Sequence, residues 1–268
     1  MSREQPRDEF IRKRIERQKR IRKRRLIIFF IFLIILLLCT GVILSLTVFF
    51  PIENINISGS KVYTATEIGK SDGIEKGDNL FTVSRSGIEK KLREELPYIE
   101  TVEIKRQLPG TLNITVTDAD EFSAYYLKGR YYTVSKSGWV LKRSKRQPKK
   151  LFTVTGAEIK CKVGTQIRFT DEKQKEFLTK LTHSLSKKNI SVDYIDISDS
   201  TSLELGVEGR FTVLLGTAND VEEKINHLSG MIENISKKKT GKINLSMWSS
   251  SDTKGTFVEG TPKKSSSE

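Results

Sequence analysis

Histidine and cysteine are nearly missing from this chain, with two of each in 268 residues. Proton shuttling near neutral pH falls mostly to histidine. His183 and His227 both lie in stretches that read as amphipathic helix, and neither has a visible catalytic partner. Cys39 sits inside a long apolar run, which leaves Cys161 alone beyond it. No intrachain disulfide can therefore staple residues 51–268, and ordinary hydrophobic cores must hold them. Their length permits one or two domains. Zinc-finger spacing and RNA-binding signatures are also missing, so the basic balance of +14 is not read as nucleic-acid binding.

Serine chemistry fails on context. Ser-x-x-Lys occurs at Ser58–Lys61, Ser184–Lys187, Ser236–Lys239 and Ser251–Lys254, yet the Ser-Asp-Asn companion of serine transpeptidases is absent. Asp118-Ala119-Asp120 imitates an Asp-x-Asp cation site. A single-pass extracytoplasmic glycosyltransferase is accordingly the enzyme alternative. Against it, Asp118 ends a predicted strand and no second acidic cluster or nucleotide-cradling glycine loop accompanies it. The sequence thus predicts no catalytic residue, no cofactor site and no metal site.

What is present begins at the N-terminus. Residues 1–25 carry 12 Lys/Arg against 4 Asp/Glu, a net of +8 in a basic tail. Leu26 to Phe50 follows without one charge and ends at Pro51. Its 25 residues exceed the length needed to cross a bilayer as a helix. It is too long for a signal-peptide core, and Leu38 stands before Cys39 where lipoprotein processing wants a small residue. An uncleaved transmembrane helix at 26–50 is expected, N-terminus in the cytoplasm and Pro51–Glu268 outside.

Residues 51–118 read as a small unit of strand, helix, helix, strand, strand. Ile52, Ile55 and Ile57 form a short strand ended by Gly59. Thr64 with Glu67 predicts a capping box, and Ser86 with Glu89 a second one ahead of Ile88, Leu92 and Leu96. The stretch "LPYIETVEIKRQLPGTLNITVTD" then alternates Val102 and Ile104 before a Leu-Pro-Gly break and Leu112, Ile114 and Val116 after it. That is a half-buried hairpin. Its sheet leaves open edges, and an open edge can accept a partner strand.

Residues 119–248 read as a second domain. Strands are expected at "FSAYYL", "RYYTV" and "WVL", then a basic loop at Lys142–Lys150. This run reads as solvated, though its charge also suits weak contact with anionic headgroups or wall polymers. A helix from about Asp171 to Lys188 and strands at Val192–Ile197, Leu203–Val207 and Phe211–Leu215 come next. Asn219 with Glu222 predicts a cap for a helix bearing Val221, Ile225, Leu228, Ile232 and Ile235. "GKINLSM" supplies a late strand, and the Ser/Thr/Lys-rich residues 249–268 are expected to be largely disordered apart from an edge strand at 255–258.

The order of these parts resembles the FtsQ/DivIB family of bacterial cell-division proteins. The elements that carry it are "SG" after the first strand, Gly77-Asp78-Asn79-Leu80-Phe81 and Leu96-Pro97-x-Ile99. Val102, Lys105-Arg106, Leu108-Pro109 and Leu112-x-Ile114-x-Val116 continue it, followed by "RYYTVSKSGWVL", "VLLG" and "INLSM". The resemblance implies an α+β fold: one N-terminal transmembrane helix, a POTRA domain (β-α-α-β-β) and a second α/β domain with a mostly antiparallel sheet. It implies a non-enzymatic scaffold that binds single-span partners of the FtsL and DivIC/FtsB type and helps assemble and regulate septal peptidoglycan synthesis, with septal synthases as further candidate partners. By the family pattern, partner contact falls on Asn244, Leu245, Ser246, Met247 and Trp248, with Gly255, Thr256, Phe257 and Val258 as an edge strand beside them.

Overall fold

The computed structural model describes residues 23–41, 49–248 and 255–263. The basic tail at 1–22, the later part of the expected span at 42–48, and 249–254 with 264–268 of the C-terminal stretch lie outside the described residues. Helix α1 (Lys23–Gly41) is apolar and long enough to cross a membrane. The chain continues as β1 (Asn54–Ser58), α2 (Ala65–Ser71), α3 (Arg85–Glu95), β2 (Ile99–Gln107) and β3 (Thr111–Asp118), with the three strands in the order β1-β3-β2. This is the strand–helix–helix–strand–strand order that the apolar spacing predicts.

Local chemistry explains the helix starts. Thr64 caps α2 with its side chain accepting from Glu67 N at 3.2 Å, while Glu67 Oε2 accepts from Thr64 N at 2.8 Å. The second expected box is displaced: α3 begins at Arg85, so Ser86 lies in its first turn rather than at its cap. Ile88 and Leu92 of α3, Ile99 and Val102 of β2, and Leu112, Ile114 and Val116 of β3 are all buried.

Chain contacts divide the molecule into two compact units. One holds the chain through Asn56 with Ile74–Ser84 and Ile104–Asn113, and the other holds Ile57–Gly73, Arg85–Glu103 and Ile114–Glu268. In the first, the loop at 74–84 and the tip of the hairpin are tied to the start of β1. Ile52 N donates to Asp78 O at 2.7 Å, and Glu53 N donates to Gly110 O at 2.8 Å. Arg106 reaches the same loop, its Nε and NH2 donating to Leu80 O and Val83 O at 2.7 Å each.

The second unit is dominated by one long sheet. Its strands are β4 (Glu121–Leu127), β5 (Arg130–Ser135), β6 (Val140–Ser144), β7 (Phe152–Thr155), β10 (Val192–Asp196), β11 (Leu203–Val207), β12 (Phe211–Gly216), β13 (Gly241–Asn244) and β14 (Thr256–Glu259). A two-stranded ribbon, β8 (Ile159–Lys160) with β9 (Arg168–Phe169), stands apart. The nine strands lie in the order β14-β13-β12-β11-β10-β7-β4-β5-β6, with most neighbours antiparallel and β13-β12, β10-β7 and β7-β4 parallel. Helices α4 (Glu172–Lys187) and α5 (Val221–Asn234) supply Phe177, Leu178, Leu181, Leu185, Ile225 and Leu228 to a core shared with Val154, Ile195, Leu205, Val213 and Ile243 of the sheet.

Three expectations are corrected here. The basic run does not begin in a loop, because Lys142 and Arg143 belong to β6 opposite Thr133 and Tyr132, where pairing with β5 overrides charged composition. The Asn219–Glu222 cap does not form. Asp220 takes the N-cap position in the left-handed region at φ 51 with no side-chain cap bond. The first turn is pinned instead by Lys224, a buried lysine whose Nζ donates to Leu215 O at 2.9 Å and Thr217 O at 3.0 Å. Burial lowers the pKa of this amine, and Asp220 opposes that shift. Finally, the late strand stops at Asn244, whose side chain accepts from Ser246 N at 2.9 Å and turns the chain.

Tyr194 of β10 lies across Gly206 of β11, so that a Cβ at 206 would stand 2.3 Å from the tyrosine ring. The ring is buried and its hydroxyl donates to Glu204 Oε1 at 2.8 Å, so it has no easy escape. Gly206→Ala is therefore expected to cost about 2 kcal/mol, a typical overpacking penalty. Urea denaturation checks this, and Gly206→Ala should cost less in a Tyr194→Ser background than in the parent protein.

Candidate functional site

Asp118 and Glu121 are both engaged in structural contacts. Asp118, the leading residue of the Asp-x-Asp pattern, ends β3 and clamps the loop after β1. Its carboxylate accepts from Ser60 Oγ and Lys61 N at 2.6 Å each and from Val62 N at 3.3 Å. Glu121, three residues on, accepts from Tyr98 Oη at 2.6 Å and pairs with Lys142 Nζ at 2.5 Å. Burial pushes the Glu121 pKa up, but the Lys142 ammonium and the Tyr98 hydroxyl together bring it below the usual carboxylate value. His183 is exposed on α4, and His227 is half-buried on α5 with its ring 6.5 Å from that of Trp248. Among the described residues no group of three His, Cys, Asp or Glu side chains is placed to hold a metal ion.

The sheet edges offer a different kind of site. An edge strand presents unpaired N–H and C=O groups to any strand that can align with it. At the β6 end, Val140 N donates to Thr165 O at 3.0 Å and Gly164 N to Val140 O at 2.9 Å, so the start of that edge is covered. Beyond it stand exposed Lys142 and Arg143, charges of the kind that discourage edge-to-edge pairing. In the three-stranded sheet, β2 is an edge and carries exposed Glu103, Lys105 and Arg106.

At the β14 end, no strand among the described residues pairs with the outer side of β14. The register pairs Gly241 with Glu259, Lys242 with Val258, Ile243 with Phe257 and Asn244 with Thr256. Gly241 N donates to Arg210 O on the β12 side at 3.0 Å, and Gly260 N donates to Thr240 O at 3.0 Å. Backbone groups alternate along a strand, so Thr256 and Val258 exchange bonds with β13. The N–H and C=O groups of Phe257 and Glu259 then face out of the sheet. Phe257 also turns its ring into the core, 6.0 Å from Phe211, while Val258 on the opposite face is 64% exposed.

Beside this edge runs a groove of about 450 Å³ between α5 and β14, lined by His227, Gly230, Met231, Asn234, Ile235 and Phe257 together with Asn226. Gly255 fits closely at its end, where a Cβ would approach Met231 Sδ to 2.7 Å and Leu245 Cδ2 to 2.8 Å. The nine residues expected to meet a partner are thus separated by the fold. Asn244 closes β13, Ser246 and Met247 form the turn, and Leu245 and Trp248 are buried in the core, Trp248 only 8% exposed. Thr256, Phe257 and Val258 lie on the edge strand, with Gly255 just before it. The groove on α5 was not read from the sequence. Met231, one step off the apolar stripe of that helix, is the one signal that could have found it.

Residues 50–118 match the family profile described as "POTRA domain, FtsQ-type". The cell division protein DivIB of Clostridium acetobutylicum is 30% identical over 201 residues, covering 73% of this chain and 79% of that protein. DivIB of Staphylococcus aureus is 25% identical over 195 residues, 72% of this chain and 42% of the longer relative. The cell division protein FtsQ of Streptomyces venezuelae is 27% identical over 92 residues, 34% of each chain.

Proposed function

We propose that this chain, which belongs to the FtsQ/DivIB family of bacterial cell-division proteins, works as a docking scaffold with no chemistry of its own. Its role is in cell division, and it is a single-pass membrane protein by α1, the one helix among the described residues that is long and apolar enough to cross a membrane. In this reading the basic N-terminus stays in the cytoplasm and residues 51–268 lie outside. There they bind partners of the FtsL and DivIC/FtsB type and help assemble and regulate septal peptidoglycan synthesis.

The single observation that carries the reading is the β14 edge, to which no strand among the described residues is paired on the outer side, with its adjoining groove. An added strand would bond through the outward groups of Phe257 and Glu259. One of its apolar side chains would drop into the groove lined by Met231, Ile235 and Phe257. Main-chain bonds then contribute affinity and the groove contributes selectivity. Nothing in this mode asks for a titrating group, which accords with side chains such as Asp118 and Glu121 already being engaged structurally.

Glu259→Pro tests the reading. Proline removes an outward donor and places its ring where the incoming strand would run, while the bonds of Thr256 and Val258 to β13 stay. The β region that proline imposes on the preceding residue is already that of Val258 in its strand. Affinity for the extracytoplasmic parts of the FtsL- and DivIC-type partners should fall about tenfold or more, with little change in stability. Unaltered affinity in a folded variant would move the contact off this edge.

A further inference from the structure

We infer that the tip of the β2–β3 hairpin, together with the loop at 74–84, is a lipid-contacting foot that rests in the interface of the bilayer anchoring the chain. It rests on the reading that 26–50 crosses the membrane. That run has 25 uncharged residues, more than the roughly 20 that span a hydrocarbon core as helix. With Arg24 and Arg25 at one interface, its far end, Phe49-Phe50-Pro51, emerges at the other.

Contacts inside the first unit bring further apolar groups to this point. The Phe50 and Phe81 rings stand 5.2 Å apart, edge to face, and Leu80 N donates to Phe50 O at 2.9 Å. Pro51 lies against the hairpin turn so closely that a Cβ on Gly110 would come within 2.6 Å of its carbonyl oxygen. A continuous path therefore runs from Phe81 through Phe50 and Pro51 to Gly110, Pro109 and Leu108.

Along that path the apolar side chains are turned outward. Phe49 is 70% exposed, Leu108 60% and Phe81 44%. The hairpin places an exposed leucine, Leu108, beside a proline of the kind turns favour, and the two bonds from Arg106 to the 80–83 backbone hold tip and loop together. Exposed apolar groups rimmed by polar ones mark interaction surfaces, and aromatic residues concentrate at membrane interfaces. Both signs of charge surround this one, with Lys76, Lys105 and Arg106 against Glu53, Glu75 and Asp78. Charge therefore gives no net pull towards anionic headgroups. The contact is carried by apolar area and should persist at high salt.

The test uses the full chain in nanodiscs of phosphatidylcholine and phosphatidylglycerol, with Cys39 and Cys161 changed to serine. Single cysteines carry an NBD fluorophore in the variants Leu108→Cys, Phe81→Cys, Val62→Cys, Met247→Cys and Leu33→Cys, and circular dichroism confirms each fold. Emission at 108 and 81 should be blue-shifted relative to 62 and 247, quenched by headgroup-proximal doxyl lipid and protected from aqueous iodide. Half-molar salt should not change this. Quenching at 33 without quenching at 108 and 81 would overturn the foot while leaving the anchor intact. No quenching at 33 would overturn the anchor and the foot together. Iodide protection at 108 without lipid quenching would assign the tip to a protein contact and overturn the inference as well.

Discussion

Gly59→Ala should destabilise the part of the molecule beyond the membrane by roughly 3 kcal/mol, through backbone strain and direct overlap. Gly59 follows β1 at φ +105, a region that side chains avoid, and a Cβ there would stand 2.1 Å from the carbonyl oxygen of Val116. Val116 is fully buried in β3, so its backbone cannot retreat without moving the sheet. Nor can the loop after Gly59 move alone, since Ser60, Lys61 and Val62 are all bonded to the Asp118 carboxylate. Gly77 provides the control. It has φ +99 but nothing within 4 Å of its Cβ position, so Gly77→Ala carries conformational strain without overlap and should cost about 1 kcal/mol. Urea denaturation of residues 51–268 compares the two, and equal losses would mean that the approach to Val116 is not what fixes glycine at 59.

The second large effect separates binding from folding. Gly230 lies in α5 and lines the groove beside β14, and nothing stands within 4 Å of its Cβ position. Gly230→Arg should stabilise the helix by about 0.5 to 1 kcal/mol, because glycine is a poor residue in a helix interior. The same side chain fills the groove with a charge, and affinity for the proposed FtsL- and DivIC-type partners should drop about a hundredfold, the scale of a binding hot spot. Titration of the variant by calorimetry, beside its urea melt, gives both numbers. Higher stability with undiminished binding would remove the groove from the docking site.

Much of this architecture could be read from residue order. Alternation at Val102, Ile104, Leu112, Ile114 and Val116 gave the hairpin because one face of that sheet is buried and the other is not. The Thr64–Glu67 box marked the start of α2 for a similarly local reason. Central strand β7 was not foreseen. It is four residues long, follows a run of lysines, and is buried at both Thr153 and Val154, so it has no period to detect. Yet it joins β10 to β4, both in parallel, and makes one sheet of what the sequence suggests as separate strands.

The candidate site was legible in the same uneven way. Phe257 is an apolar residue in a polar stretch, which is what an edge strand with one buried face requires. Trp248 is likewise apolar beside that polar stretch but closes the core, beyond the turn set by the Asn244 side chain. Apolar character in a polar segment says that something will be covered; only the turn decides whether the cover is the chain itself or a partner. The groove on α5 is completed by Phe257 of β14, so the local signal at Met231 marks only its helix side.

Strand addition at β14 is most directly tested by backbone amide exchange of residues 51–268, alone and with the extracytoplasmic parts of the proposed FtsL- and DivIC-type partners. Partner binding should slow exchange at Phe257 and Glu259, whose amides face outward, while Thr256 and Val258, already bonded to β13, change less. Binding that leaves the 255–263 segment unprotected, or that protects β6 or β2 instead, would contradict the docking edge proposed here.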